Sequence, residues 1–317
     1  MENINNAPLF VYTYGYRIEE ADICRLEMRS LFGKQSEADV LFSNIDVHPD
    51  RSPFMRDRIE VLYQGECLED ILEQVQQIQL GDATFKVIFS KMNDLKPENK
   101  IDFDGQRAIE REIGEYIEGE ADVRKPDCVF GILTWGGRWY FGNYIKSKAV
   151  WLAHMKKPRS YSIALSTRIA RAIANIAIPN PNGIKAIDPC CGIGTVLVEA
   201  LSMGMNIVGR DINHFIIQGT RENLAHFEYV TDAVCGDIAD ISDHYDVAIV
   251  DMPYNHFSST TPEAQFSLLQ HTRRIASKAV IVTADPMDEL ITNAGFTISD
   301  RCTTRKGSFV RQIIVCE

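Results

Sequence analysis

Five apolar runs in the second half of the chain each end on an aspartate. They span 184–188, 206–211, 233–237, 246–251 and 279–285, and close on Asp188, Asp211, Asp237, Asp251 and Asp285. Stretches of helical period separate them. Buried strands alternating with helices build a parallel, doubly wound sheet, because each crossover returns the chain to the same end of the sheet. Such a sheet gathers its strand ends along one edge, where an α/β fold binds ligands. The pattern therefore predicts a row of carboxylates beside a ligand crevice.

The first run leads into a turn, Ala186-Ile187-Asp188-Pro189-Cys190-Cys191-Gly192-Ile193-Gly194-Thr195, and a helix over 196–203 stopped by Gly204. Glycines at 192 and 194 let main-chain N–H groups and a helix N-terminus come close to a bound molecule. Asp211, about 20 residues further on, stands where an acid reads a ribose, and Asp237 takes the third-strand part. This is the grammar of a nucleoside cofactor. A dinucleotide fingerprint requires a third glycine at 197, where Leu197 stands, which argues against a nicotinamide oxidoreductase.

The fourth run is followed by Asp251-Met252-Pro253-Tyr254. This resembles the (D/N)-P-P-Y motif of amino-methyltransferases. An exocyclic amine delocalises its lone pair into the base and is a poor nucleophile. Two acceptors on its N–H groups turn that lone pair toward a methyl donor. Asp251 supplies one acceptor and the Met252 carbonyl the other, while Tyr254 offers a face for an extruded base. Met252 replaces the usual proline, so the backbone is less restricted there. A base-C5 methyltransferase requires a cysteine nucleophile nearby, and 251–285 contains no Cys.

The wider resemblance is to RNA and DNA amino-methyltransferases. It is carried by Asp188-Pro189-x-Cys191-Gly192-x-Gly194-Thr195 with Glu199-Ala200, then Asp211, Asn223, Asp237 and the 251–254 motif. It implies S-adenosylmethionine as cofactor, held by Asp188, Cys191, Gly192, Gly194, Thr195, Asp211, Ile212, Asp237, Ile238 and Asp251. Lys157-Pro158-Arg159-Ser160, leading into 165–176, resembles the segment that closes over the cofactor's methionine end. The first half resembles the THUMP-containing tRNA guanosine N2-methyltransferases of the guanosine-10 type. That likeness rests on Lys86-Val87-Ile88-Phe89, the helix 107–117 with Gly114, Pro126-Asp127 and Trp139-Tyr140-Phe141-Gly142. It implies transfer of a methyl group to the N2 amine of a tRNA guanosine.

A 317-residue chain accommodates two domains. The fold class expected is α/β. A ferredoxin-like region over 1–55 and a THUMP-like RNA-binding domain over 56–145 make an α+β first half. A linker over 146–160 leads to a Rossmann-like, doubly wound methyltransferase domain over 161–317. Other helices are expected from the stripes Ala21/Cys24/Met28/Leu31, Leu68 to Ile78 with Gly81 as stop, and Ile169/Ile173/Ile176.

A formal net charge of −11 speaks against a polyanion partner taken alone. Yet 128–187 holds nine Lys and Arg and no Asp or Glu. Lys146, Lys148, Lys156, Lys157 and Arg159 are therefore the expected RNA contacts, making tRNA the expected partner. No apolar run approaches a membrane span or a signal-peptide core, and the eight cysteines show no metal-ligand spacing. These readings predict a cytoplasmic enzyme without metal, membrane or evident obligate protein partner. The alternatives are an rRNA or DNA amino-methyltransferase and a catalytically inactive RNA-binding protein of the same fold.

Overall fold

The computed structural model describes residues 7–161, 164–253, 261–306 and 309–317. In chain order the first half runs β1 (Phe10–Tyr14), α1 (Ala21–Phe32), β2 (Val40–Ser43), β3 (Met55–Gly65), α2 (Leu68–Val75), β4 (Gln79–Asn93), α3 (Phe103–Tyr116), β5 (Glu118–Ala121), β6 (Cys128–Trp135) and β7 (Arg138–Lys146). The second runs α4 (Trp151–His154), α5 (Thr167–Ala177), β8 (Lys185–Asp188), α6 (Thr195–Ser202), β9 (Asn206–Asp211), α7 (His214–His226), β10 (Ala233–Cys235), β11 (Tyr245–Asp251), α8 (Pro262–Ile275), β12 (Ala276–Thr283), α9 (Asp288–Asn293), β13 (Ile298–Lys306) and β14 (Phe309–Cys316).

The chain divides into two compact units that interleave along the sequence. One comprises 1–15, 38–49 and 55–148; the other comprises 16–37, 50–54 and 149–317. The sequence reads as contiguous blocks broken by a linker, and the structure does not follow those boundaries. Helix α1 and the turn at 50–54 belong with the second unit. The stretch 146–160 is also structured. Lys146 ends β7, and Trp151 and His154, three residues apart on α4, are both buried. Lysine content suggests a solvated tether, but one buried helical face outweighs it.

The first unit holds a seven-stranded mixed sheet in the order β2-β1-β3-β7-β6-β4-β5. Strand β4 alternates Phe85, Val87 and Phe89 inward, as a half-buried strand must, and they meet Ile71 and Val75 of α2 and Ile113 of α3. Helix α2 ends at Val75, short of the expected Gly81. That glycine lies inside β4 at positive φ, where the register with β5 shifts. The irregular strand, not a helix stop, requires it.

The second unit holds the expected doubly wound sheet, in the order β10-β9-β8-β11-β12-β14-β13. The strands from β10 to β12 are parallel, and β14 and β13 add antiparallel at the far edge. The order reverses direction at β8, so the crevice outside β8, β9 and β11 is the switch point of the sheet.

A buried polar network fastens α1 and the 50–54 turn to this unit. Arg171 of α5, 1% exposed, donates to Glu199 Oε2 at 2.6 Å and to the Asp50 carbonyl at 2.6 Å. Glu199, on α6, also meets His154 Nδ1 at 2.7 Å. Removing one partner of such a buried pair costs about 3–5 kcal/mol. Nearby, Asn175 of α5 donates to Glu27 of α1 at 2.7 Å, and the Ser52 hydroxyl donates to the other Glu27 oxygen. Arg29 of α1 grips Asp300 of β13 with two bonds, at 2.7 and 2.8 Å.

Burial pushes the Glu27 carboxyl up from 4.5 to about 7, against the hydrogen bonds of Ser52 and Asn175. A carboxyl raised in the folded state binds more protons there than in the unfolded chain, so stability falls as pH rises through that window. Glu27→Gln is expected to flatten this slope. Urea unfolding at intervals between pH 4.5 and about 7 checks it: the wild type loses stability toward neutrality and the variant loses less.

Candidate active site

The carboxyl ends of β8, β9 and β11, with the turn after β10, open into one cavity of about 680 Å³. Asp188, Asp211, Asp237 and Asp251 all line it, as do Cys191, Gly192, Thr195, Ile212, Ile238, Met252 and Pro253. Of the residues expected at the cofactor and catalytic sites, Gly194 shapes the loop without lining the cavity. Tyr254 lies outside the described residues.

The loop between β8 and α6 is held by its neighbours. Asp211 accepts from the N–H groups of Gly192 at 3.0 Å and Asn213 at 2.8 Å. Each carboxylate oxygen keeps a further lone pair for a ligand. The Cys191 N–H donates to the Arg210 carbonyl at 2.9 Å, and the Thr220 hydroxyl donates to the Gly192 carbonyl. Asp237 caps a short 3₁₀ turn, Ile238–Asp240, by accepting from the Ala239 N–H at 2.9 Å. Ile238 is buried, whereas Ile212 remains 72% exposed at the pocket.

Charge defines this cavity. Burial pushes the Asp188 carboxyl well above the usual carboxylate range, and Asp251 and Asp211 push the same way against the Cys190 N–H. Burial likewise raises the thiols of Cys190 and Cys191, with the neighbouring aspartates adding to it. Carboxylates crowded in one cleft favour a cation among them.

Asp251 and Met252 are firmly seated. Met252 is 1% exposed within the apolar core, and its N–H donates to the Val282 carbonyl at 2.9 Å. The substitution of Met for Pro therefore does not loosen this position, since core packing supplies the restraint a proline ring would. Helix α8 brings Ala264, Ser267, Leu268 and His271 to the cavity wall, as Tyr161 and Leu165 come from the segment before α5. These four stand at i, i+3, i+4 and i+7 of α8, and no residue type among them signals a ligand in the sequence.

The basic residues expected to contact RNA divide. Lys146, Lys148 and Lys156 are exposed. Lys157 is half-buried; burial lowers its pKa while Glu199 opposes that. Arg159 is paired with Glu222 of α7. His154, which the sequence placed in a tether, is a packing residue against Glu199 and Phe227. Among the described residues no cluster of His, Cys, Asp and Glu could hold a metal ion, and no helix is long and apolar enough to cross a membrane.

Known proteins resemble this chain in sequence and in fold. Residues 155–287 match the RMKL-like methyltransferase domain family. The chain is 31% identical over 232 residues to the tRNA (guanine(10)-N2)-dimethyltransferase of Methanothermobacter thermautotrophicus, a match covering 66% of this chain and 67% of that protein. The chain belongs to the tRNA (guanine(10)-N2)-dimethyltransferase family. The Pyrococcus abyssi protein of the same description is 28% identical over 222 residues, covering 63% of this chain and 62% of that one. The matched parts thus make up about two thirds of each relative. TrmN from Thermus thermophilus has a similar fold, with TM-score 0.50 and 14% identity over 98% of this chain and 99% of that one.

The two loop glycines serve different ends. Both have positive φ, +53° at Gly192 and +76° at Gly194. A Cβ on Gly194 would lie 2.7 Å from Thr220 Cγ2, whereas one on Gly192 meets nothing within 4 Å. Gly194→Ala is therefore expected to cost about 2–3 kcal/mol of stability, through strain plus overlap, and Gly192→Ala only about 1 kcal/mol. Denaturant unfolding of the two variants checks the order.

Proposed function

We propose that this chain methylates the exocyclic N2 amine of a guanosine in tRNA, at position 10, using S-adenosylmethionine. The observation that carries the reading is the shared cavity: the seated Asp251-Met252-Pro253 segment and three further strand-end aspartates face one space. The cofactor fits that space on two grounds. Its sulfonium and ammonium cations suit a cleft whose carboxylates repel one another. In addition, the Thr195 hydroxyl at the start of α6 is buried without a partner among the described residues, a donor left over at a helix N-terminus that suits a carboxylate.

In this reading Asp211 accepts from the ribose hydroxyls and Asp237 lies by the adenine, with Ile212 and Ile238 as apolar walls. Asp188, Cys191, Gly192, Gly194 and Thr195 form the rest of the cofactor site. When bound, S-adenosylmethionine supplies an electrophilic methyl group. The Asp251 carboxylate accepts from one N–H of the guanine amine and the Met252 carbonyl from the other, which points the nitrogen lone pair outward. Pro253 holds that turn, and the base-stacking part expected of Tyr254 falls outside the described residues. The chain's work is positioning, which by itself supplies up to about 7–11 kcal/mol of barrier reduction in well-oriented reactions. The first unit acts as the THUMP-type RNA module, in a cytoplasmic enzyme.

Asp251→Ala is expected to abolish methylation while weakening cofactor binding only severalfold, because this carboxylate is the amine's own acceptor but only one of the four aspartates facing the cofactor's cations. Mass spectrometry of tRNA nucleosides, paired with calorimetric titration of S-adenosylhomocysteine, checks both halves. Undiminished methylation by the variant would place the chemistry elsewhere.

RNA recruitment by an acidic protein depends on its exposed lysines. Changing Lys146, Lys148 and Lys156 together to Glu is expected to weaken tRNA binding. It should also flatten the plot of log affinity against log salt by about 0.7–0.9 for each phosphate no longer neutralised. An unaltered slope in a filter-binding salt series would remove these residues from the RNA path.

A further inference from the structure

Helix α8 turns one face to the cavity, and the last residue on that face is His271. One of its ring nitrogens is already taken. Arg274, one turn further on, directs Nε and Nη2 at His271 Nδ1, each at 3.4 Å. That guanidinium is itself fixed, donating to the carbonyls of Ile241 at 2.5 Å, Ile238 at 3.1 Å and Ala239 at 3.2 Å. A guanidinium only donates, so Nδ1 accepts, and an accepting Nδ1 leaves the ring proton on Nε2. His271 lines the cavity and Arg274 does not. Nε2–H is therefore the ring group offered to the pocket, and no described residue bonds to it.

The rest of the wall makes this donor matter. The acidic side chains of the described lining are Asp188, Asp211, Asp237 and Asp251, and neither Lys nor Arg is among the described lining residues. A purine is only partly complementary to such a wall. Its exocyclic amine donates to carboxylates, but its ring nitrogens accept, as does the 6-oxygen of guanine. An acceptor buried without a donor costs binding free energy. His271 supplies a donor beside Ile238 and Ala239, which line the same cavity and whose carbonyls hold Arg274.

We infer that His271 is a further binding residue for the methyl transfer: its Nε2–H, aimed by Arg274, donates to an acceptor atom of a purine held in the cavity. The inference rests on the function proposed above, in which two purines meet there, the cofactor's adenine and the target guanine. Both present the same acceptor chemistry to a ring N–H. They are told apart by the binding step that the donor serves. Arg274 acts through His271 and is a positioning residue.

The test uses the full chain with two substitutions. His271→Leu fills the space without a donor, and His271→Gln puts an amide N–H in the place of Nε2–H. Calorimetric titration of S-adenosylhomocysteine reads the cofactor's purine. The ratio kcat/KM for tRNA, at saturating S-adenosylmethionine, reads the target guanine. His271→Leu is expected to lower one of these about tenfold, the scale of a lost buried hydrogen bond, and His271→Gln to recover most of the loss. A loss in the titration assigns the donor to the adenine, and a loss in kcat/KM alone assigns it to the guanine. Two unchanged values overturn the inference, as does a loss that His271→Gln does not recover. A fall in thermal midpoint with both readings intact is what a purely structural histidine gives, and it overturns the inference too. The tautomer is tested without ligand. In a long-range proton–nitrogen correlation spectrum the His271 ring is the set of signals missing from His271→Gln; its proton is expected on Nε2, and a proton on Nδ1 overturns the inference. A wild-type chain that binds no S-adenosylhomocysteine overturns the cofactor reading itself, and the purine assignment with it, even where the tautomer is as expected.

Discussion

The buried pairing of Arg171 with Glu199 is the interaction on which the catalytic unit depends. Glu199 sits on α6, the helix that follows the glycine-containing loop, and Arg171 of α5 joins it to the main-chain carbonyls of Asp50 and Arg51. Two charges taken out of water hold only if every donor and acceptor around them is satisfied. Here they are supplied by His154, Ser202 and a turn more than a hundred residues earlier in the chain. The N-terminal turn is thus part of the charge balance of the second unit, and α1 follows it through Glu27 and Asn175. This accounts for two units that interleave in sequence.

The same economy of buried polar groups shapes the pocket. Main-chain N–H groups of the glycine loop are not left for a ligand alone; Asp211 already takes that of Gly192, and the Cys191 N–H goes to the Arg210 carbonyl. Asp237 caps its own turn, and Met252 is tied to β12 through Val282. The protein's own groups thus hold the described pocket walls in place, which lowers the ordering cost of binding. Burial and the neighbouring Asp251 and Asp211 raise the Asp188 carboxyl, and a cationic ligand relieves such crowding.

Much of this was legible in the sequence, and for a local reason. A parallel strand buried on both faces must be continuously apolar, and its first polar residue marks its carboxyl end. Runs ending in Asp188, Asp211, Asp237 and Asp251 hence gave both the sheet and the crevice. Glycines at 192 and 194, with the Asp251-Met252-Pro253 turn, are short-range signals of the same kind. The chain by itself determined the α/β class, the glycine-containing turn after β8 and the place of the Asp251-Met252-Pro253 segment at the end of β11.

Tertiary structure decided what depends on partners distant in sequence. Whether a lysine is solvated or half-buried depends on what packs beside it, and Lys157 next to Glu199 could not be told from exposed Lys156 by composition. Arg159 read as a free cation until α7 set Glu222 against it. The apparent tether became a helix because Trp151 and His154 find a buried surface, and Met252 is rigid because a core forms around it. Helix α1 has an ordinary amphipathic stripe, which says that it packs but not against what. Hydrophobic burial has no direction of its own, so the choice between the two units fell to specific pairs such as Arg29 with Asp300 and Glu27 with Asn175, visible only when the chain is folded.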